Sequence, residues 1–88
     1  MEGRTRMDAL EENILTYLKN NRGNSYTAFQ MVNYIGTGGA GWLLGKVSGY
    51  AAGVQVVRNA LENLVNEGYV AKKVVKQGVL EEVYYYVK

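Results

Sequence analysis

The stretch Val54-Gln55-Val56-Val57-Arg58-Asn59-Ala60-Leu61-Glu62-Asn63-Leu64-Val65-Asn66-Glu67-Gly68-Tyr69-Val70 decides the fold. Val54, Val57, Leu61, Leu64 and Val65 recur at helical spacing and make one apolar stripe. Gln55, Arg58, Asn59, Glu62 and Asn66 fall on the opposite side. Gly68 stands where a left-handed C′ residue stops a helix, and Tyr69 beyond it can fold back onto Leu64. The period then changes. Tyr69 to Val75 and Leu80 to Val87 read as two strands around Lys76-Gln77-Gly78. A helix with an amide- and guanidinium-bearing outer face therefore runs into a lysine-bearing hairpin.

Upstream, Thr5 to about Asn21 reads as the first helix, with Thr5 and Asp8 at capping-box spacing. Met7, Leu10, Ile14, Tyr17 and Leu18 make its apolar face, and Gly23 is the expected C′ residue. Ser25-Tyr26 is predicted as a short first strand. The second helix has the clearest start. Thr27 is the N-cap, Gln30 its N3 partner, and Tyr26 can staple onto Met31. Phe29, Val32 and Ile35 are its expected buried side, and Gly36 its end.

Between the second and third helices, Gly36 to Gly53 holds seven glycines in eighteen residues, yet also Trp42, Leu43, Leu44, Val47 and Tyr50. A disordered linker does not hold so many large apolar groups. We expect an ordered loop, with a helical turn over Ala40 to Lys46 and with Trp42 as a core or subunit-contact anchor. Two phosphate-loop patterns in it fail. Gly36-Thr37-Gly38-Gly39-Ala40-Gly41 satisfies G-x-G-x-x-G, but it follows a helix where the dinucleotide motif follows a strand. Gly45-Lys46 lacks the first glycine of a P-loop, because Ala40 stands there, and Val47 replaces the magnesium-binding hydroxyl.

Length and composition narrow the function. Eighty-eight residues suit one domain over 1–88, near the lower end of what folds alone, so dimerisation is a natural supplement. There is no Cys and no His, which removes disulfides, thiolate nucleophiles, the usual general base and the commonest metal ligands. No catalytic group, cofactor site or metal site can be assembled, and an enzyme is not expected. No apolar run approaches the ~20 residues that span a bilayer. The N-terminus does not read as a signal peptide, so a cytoplasmic protein without membrane contact is the expectation. Net charge is only +2, but Asp8, Glu11 and Glu12 crowd the first helix while Lys72, Lys73 and Lys76 gather on the hairpin.

Tyr26-Thr27-Ala28-Phe29-Gln30, the run Leu61 to Val70 and the final Val83-Tyr84-Tyr85-Tyr86-Val87-Lys88 together resemble winged helix-turn-helix regulators. They look most like the small MarR-like and PadR-like domains and the compact winged-helix proteins of archaea and their viruses. The likeness spans roughly Met7 to Lys88 in element order, and only the third helix and the wing match closely in residue type. It departs from the pattern between helices 2 and 3, where about 3–4 residues are usual. The implied fold is α+β, three main helices plus a C-terminal hairpin wing.

The implied function is sequence-specific binding of double-stranded DNA as a transcriptional regulator, with a homodimer on a palindromic site. On the third helix, Gln55, Arg58 and Asn59 would then meet base edges in the major groove. Ser48 and Tyr50, just before that helix, are candidates for phosphate contacts. Lys72, Lys73 and Lys76 would hold the backbone or minor groove. The rival expectation is a winged helix used for protein contact, as an adaptor or complex subunit without DNA binding. Set against both is the bland reading, in which Arg58 pairs with Glu62 along the helix and the lysines merely solubilise a hairpin edge.

Overall fold

The computed structural model describes residues 7–37 and 50–88, and these form an α+β arrangement. The elements are α1 (Ala9–Asn20), α2 (Ala28–Thr37), α3 (Tyr50–Asn66), β1 (Ala71–Gln77) and β2 (Leu80–Tyr86). Ser48, Trp42 and the turn expected over Ala40 to Lys46 lie outside the described residues.

Local chemistry sets the ends of the helices. Asp8, not Thr5, caps α1: its Oδ1 accepts from the Glu11 amide at 2.9 Å, and Glu11 Oε1 accepts from the Asp8 amide at 3.2 Å. The box thus lies three residues downstream of its expected place and uses the full-length Glu. Asn21 closes the other end, donating its amide N–H to the Leu18 carbonyl and its side chain to the Tyr17 carbonyl. Gly23 lies beyond this cap, in the turn that Asn24 closes on Asn21. In α2 the expected box is present, with Thr27 Oγ1 accepting from the Gln30 amide and Gln30 Oε1 accepting from the Thr27 amide. The helix passes Gly36 and ends at Thr37.

α3 begins at Tyr50, four residues upstream of Val54, so it takes Gly53 into a helical interior despite a cost of ~1 kcal/mol relative to Ala. Its end is a Schellman motif. Gly68 adopts φ +86°, its N–H reaches the Val65 carbonyl, and the Tyr69 N–H reaches the Leu64 carbonyl. At the hairpin tip Gln77 pairs with Leu80, leaving Gly78 and Val79 as a two-residue turn. Gly78 takes φ +62° and Val79 does not go positive, the requirement of a type II′ turn.

The core lies where the three helices meet one face of the hairpin. Leu10, Ile14, Leu15 and Leu18 of α1 pack with Ala28, Met31, Val32 and Ile35 of α2 and with Val57, Ala60, Leu61 and Leu64 of α3. Burying such a side chain contributes ~1.5–3 kcal/mol, which offsets chain entropy. Phe29 departs from expectation: it is 54% exposed. Ala28, Met31, Val32 and Ile35 already fill the i, i+3, i+4, i+7 face of α2, and Phe29 sits about a quarter-turn off it. The Tyr26 ring packs with Tyr17 and Tyr34, their centroids 5.1–5.6 Å apart.

Val70, Tyr85 and Val87 close the core from the hairpin. On that same face Lys72 and Val74 lie opposite Tyr85 and Val83, while Ala71, Lys73 and Val75 share the other face with Tyr86, Tyr84 and Glu82. Of the short strand expected at Ser25-Tyr26, only an isolated β-bridge at Tyr26 forms. Tyr26 exchanges both backbone hydrogen bonds with Tyr85, at 2.9 and 2.8 Å, so it lies beside β2 on the edge away from β1. No helix among the described residues is long and apolar enough to cross a membrane.

Candidate nucleic-acid interface

Helical phase places Gln55, Arg58 and Asn59 away from the buried Val57, Ala60, Leu61 and Leu64, and all three are exposed. Gln55 and Asn59, one turn apart, bond each other, with Gln55 Nε2 donating to Asn59 Oδ1 at 2.9 Å. Arg58 leans toward α2 and β2. There it lines a groove of about 550 Å³ with Thr27, Phe29, Gln30 and Asn33 on one side and Glu81 to Tyr85 on the other. Tyr50 is the first residue of α3 rather than a residue preceding it.

One turn beyond Arg58, Glu62 gathers the hairpin onto the helix. Its Oε2 accepts from the Tyr85 hydroxyl at 2.7 Å, and both its oxygens lie within 3.1 Å of Lys72 Nζ. Burial alone would raise the Glu62 carboxyl. The hydrogen bonds from Tyr85 and Lys72, with the charges of Lys72 and Arg58, outweigh that and hold it below the usual carboxylate range. Burial, then the same carboxylate, pushes the Tyr85 hydroxyl far above the ordinary tyrosine value. A carboxylate that stays ionised between a phenol and an ammonium joins α3 to both β1 and β2.

The remaining hairpin lysines also have neighbours. Lys76 Nζ is 3.6 Å from Glu81, both side chains more than half exposed, and Lys73 Nζ sits 5.9 Å from the centre of the Tyr86 ring. The hairpin carries Lys72, Lys73 and Lys76 on one strand and Glu81 and Glu82 on the other, three charges against two, a surplus of one. The hairpin is nearly charge-balanced, not a basic ribbon. The signal was present in the sequence: a two-residue turn at Gly78-Val79 puts Lys76 directly opposite Glu81. The α2 residues beside Arg58 had no comparable signal, because only tertiary packing brings Thr27, Gln30 and Asn33 there.

The buried Glu11 performs a separate task. Only 1% exposed, it caps its own helix with one oxygen and accepts from Asn63 Nδ2 of α3 with the other, at 3.2 Å. It ties α1 to the edge of the outward ridge on α3. Among the described residues no group of three or more acidic side chains is arranged to hold a metal ion.

Comparison of the chain with protein-family models, with curated proteins and with solved structures gives no match. The functional reading therefore stands on the residues and geometry above.

Proposed function

We infer that this chain is a winged helix that binds double-stranded DNA sequence-specifically, as a homodimeric transcriptional regulator. The observation that carries the reading is the exposed ridge of Gln55, Arg58 and Asn59 on α3, held beside a hairpin by the Glu62 cluster. The arrangement supports it: an isolated β-bridge from Tyr26 to β2, with β1 on the far side. A ridge of this kind enters a major groove, where Arg donates twice to guanine and Asn or Gln pairs with adenine. Opening the Gln55–Asn59 bond costs little, because both partners are solvent-exposed.

The phosphate contacts are fewer than lysine counting suggests. Lys72 is held by Glu62 and orients the wing, whereas Lys73 and Lys76 can exchange weak surface partners for phosphates. Binding should weaken with salt, with a slope of about two rather than six or more. Fluorescence anisotropy on random duplex DNA across a salt series tests this. Absence of binding at low salt ends the DNA reading.

The protein-contact reading is favoured by a different observation. Val74, Val79 and Leu80 are all at least half exposed along the hairpin, and Glu81 and Glu82 stand beside them. Such a surface suits an adaptor better than a polyanion, and the same titration separates the two.

A further inference from the structure

Among the described residues, β2 leaves part of one edge open. Because Tyr85 gives both its backbone hydrogen bonds to Tyr26, its amide and carbonyl point away from β1. Backbone direction repeats every second residue of a strand, so the amides and carbonyls of Val83 and Glu81 point the same way. Neither receives a backbone hydrogen bond from that side among the described residues. The cause is local. After Tyr26 the chain stops running beside β2, since Thr27 caps α2 and the helix swings off at Ala28.

The groove of about 550 Å³ occupies the wedge left between them, with Phe29, 54% exposed, on its α2 wall. Charge is unevenly placed along it. Arg58 acts electrostatically on Tyr85, at the closed end, whereas Glu81 lies next to the hairpin tip. An open strand edge beside a part-apolar groove is the geometry of strand addition, in which the backbone supplies affinity and side-chain sites supply selection.

We propose that this groove takes a short extended peptide of a partner protein as an added strand, antiparallel to β2 and continuing the line of Tyr26. In that sense the peptide begins beside Val83, just past Tyr26, and reaches the tip last. An acidic side chain near its N-terminal end meets Arg58, and a basic one near its C-terminal end meets Glu81. Glu81 and Glu82 on the rim disfavour a phosphate backbone as the occupant. A second copy offering its β1 edge would bring Lys72, Lys73 and Lys76 but no acidic side chain to meet Arg58. The inference goes beyond the DNA reading and does not rest on it, although both use Arg58.

The test titrates the full chain into fluorescein-labelled Glu-Thr-Val-Thr-Lys-Thr, acetylated and amidated at its ends, with amide NMR spectra recorded alongside. Saturable binding that moves the Val83 and Glu81 amide signals is expected. The charge-reversed peptide Lys-Thr-Val-Thr-Glu-Thr should bind about tenfold more weakly, and Arg58→Glu should invert that preference. Equal affinity for both orders, unmoved Val83 and Glu81 amides, or undiminished binding after N-methylation of the peptide backbone overturns the proposal. It is likewise overturned if those amides shift with chain concentration alone, which assigns the edge to a second copy, or with duplex DNA that the peptide cannot displace. Peptide binding without any duplex affinity sinks the DNA reading and leaves this one standing; the reverse pattern sinks only this one.

Discussion

The outer ridge of α3 and the hairpin carry polar side chains of similar promise, and the fold treats them differently. On the ridge, Gln55, Arg58 and Asn59 stand exposed on a rigid helix, and the one hydrogen bond between Gln55 and Asn59 is itself solvent-exposed. On the hairpin, Lys72 is committed to Glu62, Lys76 lies beside Glu81 and Lys73 lies near Tyr86. The difference teaches that a count of charges measures what a surface owns, whereas geometry measures what it can lend. On the proposed DNA reading the ridge would lend selectivity at little cost. The hairpin can lend only part of its charge, because Lys72 also holds the two regions together.

The comparison breaks most completely if the scaffold beneath both surfaces fails. Leu64, fully buried and placed where α3 turns toward β1, should cost ~2–5 kcal/mol of unfolding free energy as Leu64→Ala. Urea denaturation monitored by circular dichroism measures it. Arg58→Ala should leave stability within ~0.5 kcal/mol. In an anisotropy competition it should weaken a selected site by ~1–3 kcal/mol relative to random duplex. Equal loss on both would demote Arg58 to a phosphate contact and erase the distinction between the regions.

The hairpin lysines sharpen the comparison because they should not behave alike. Lys73→Ala and Lys76→Ala are each expected to reduce the salt slope of DNA binding by about one. Lys72→Ala should leave that slope nearly unchanged and instead lower the melting temperature slightly, since it strips a partner from Glu62. A salt series on the three variants decides it.

The smallest effect is in acid. Because folding lowers the Glu62 pKa, its contribution is present above the ordinary carboxylate value and is lost as pH falls through the lower folded value. Thermal melts of the wild type and Glu62→Gln should therefore differ at neutral pH and converge as Glu62 protonates. A gap that persists under strong acid would show that Glu62 acts by shape and not by charge.

Much of the scaffold was legible because its determinants are local. Thr27 and Gln30 cap each other across three residues, and Gly68 answers the left-handed demand of the α3 terminus within one turn. The same locality explains the error in α1. Thr5–Asp8 and Asp8–Glu11 have the same spacing, and it is the second pair that closes a box at the start of α1. Phe29 is spaced three and six residues from Val32 and Ile35, yet Ala28, Met31, Val32 and Ile35 fill the buried face and leave it outside. Part of the site was hidden for another reason. Glu62 meets Tyr85 from twenty-three residues away and Lys72 from ten, distances over which periodicity carries no information.

The amino-acid order alone determined three helices, a terminal hairpin and which side of α3 is polar. Each follows from hydrogen bonds and side-chain phase within a few residues of one another. Tertiary structure decided which of the charged groups remain available. A carboxylate can hold an ammonium and a phenol together only after packing has brought α3 and the hairpin within hydrogen-bond reach. The edge of β2 left open among the described residues has the same origin, for it begins where α2 turns away from the bridge at Tyr26.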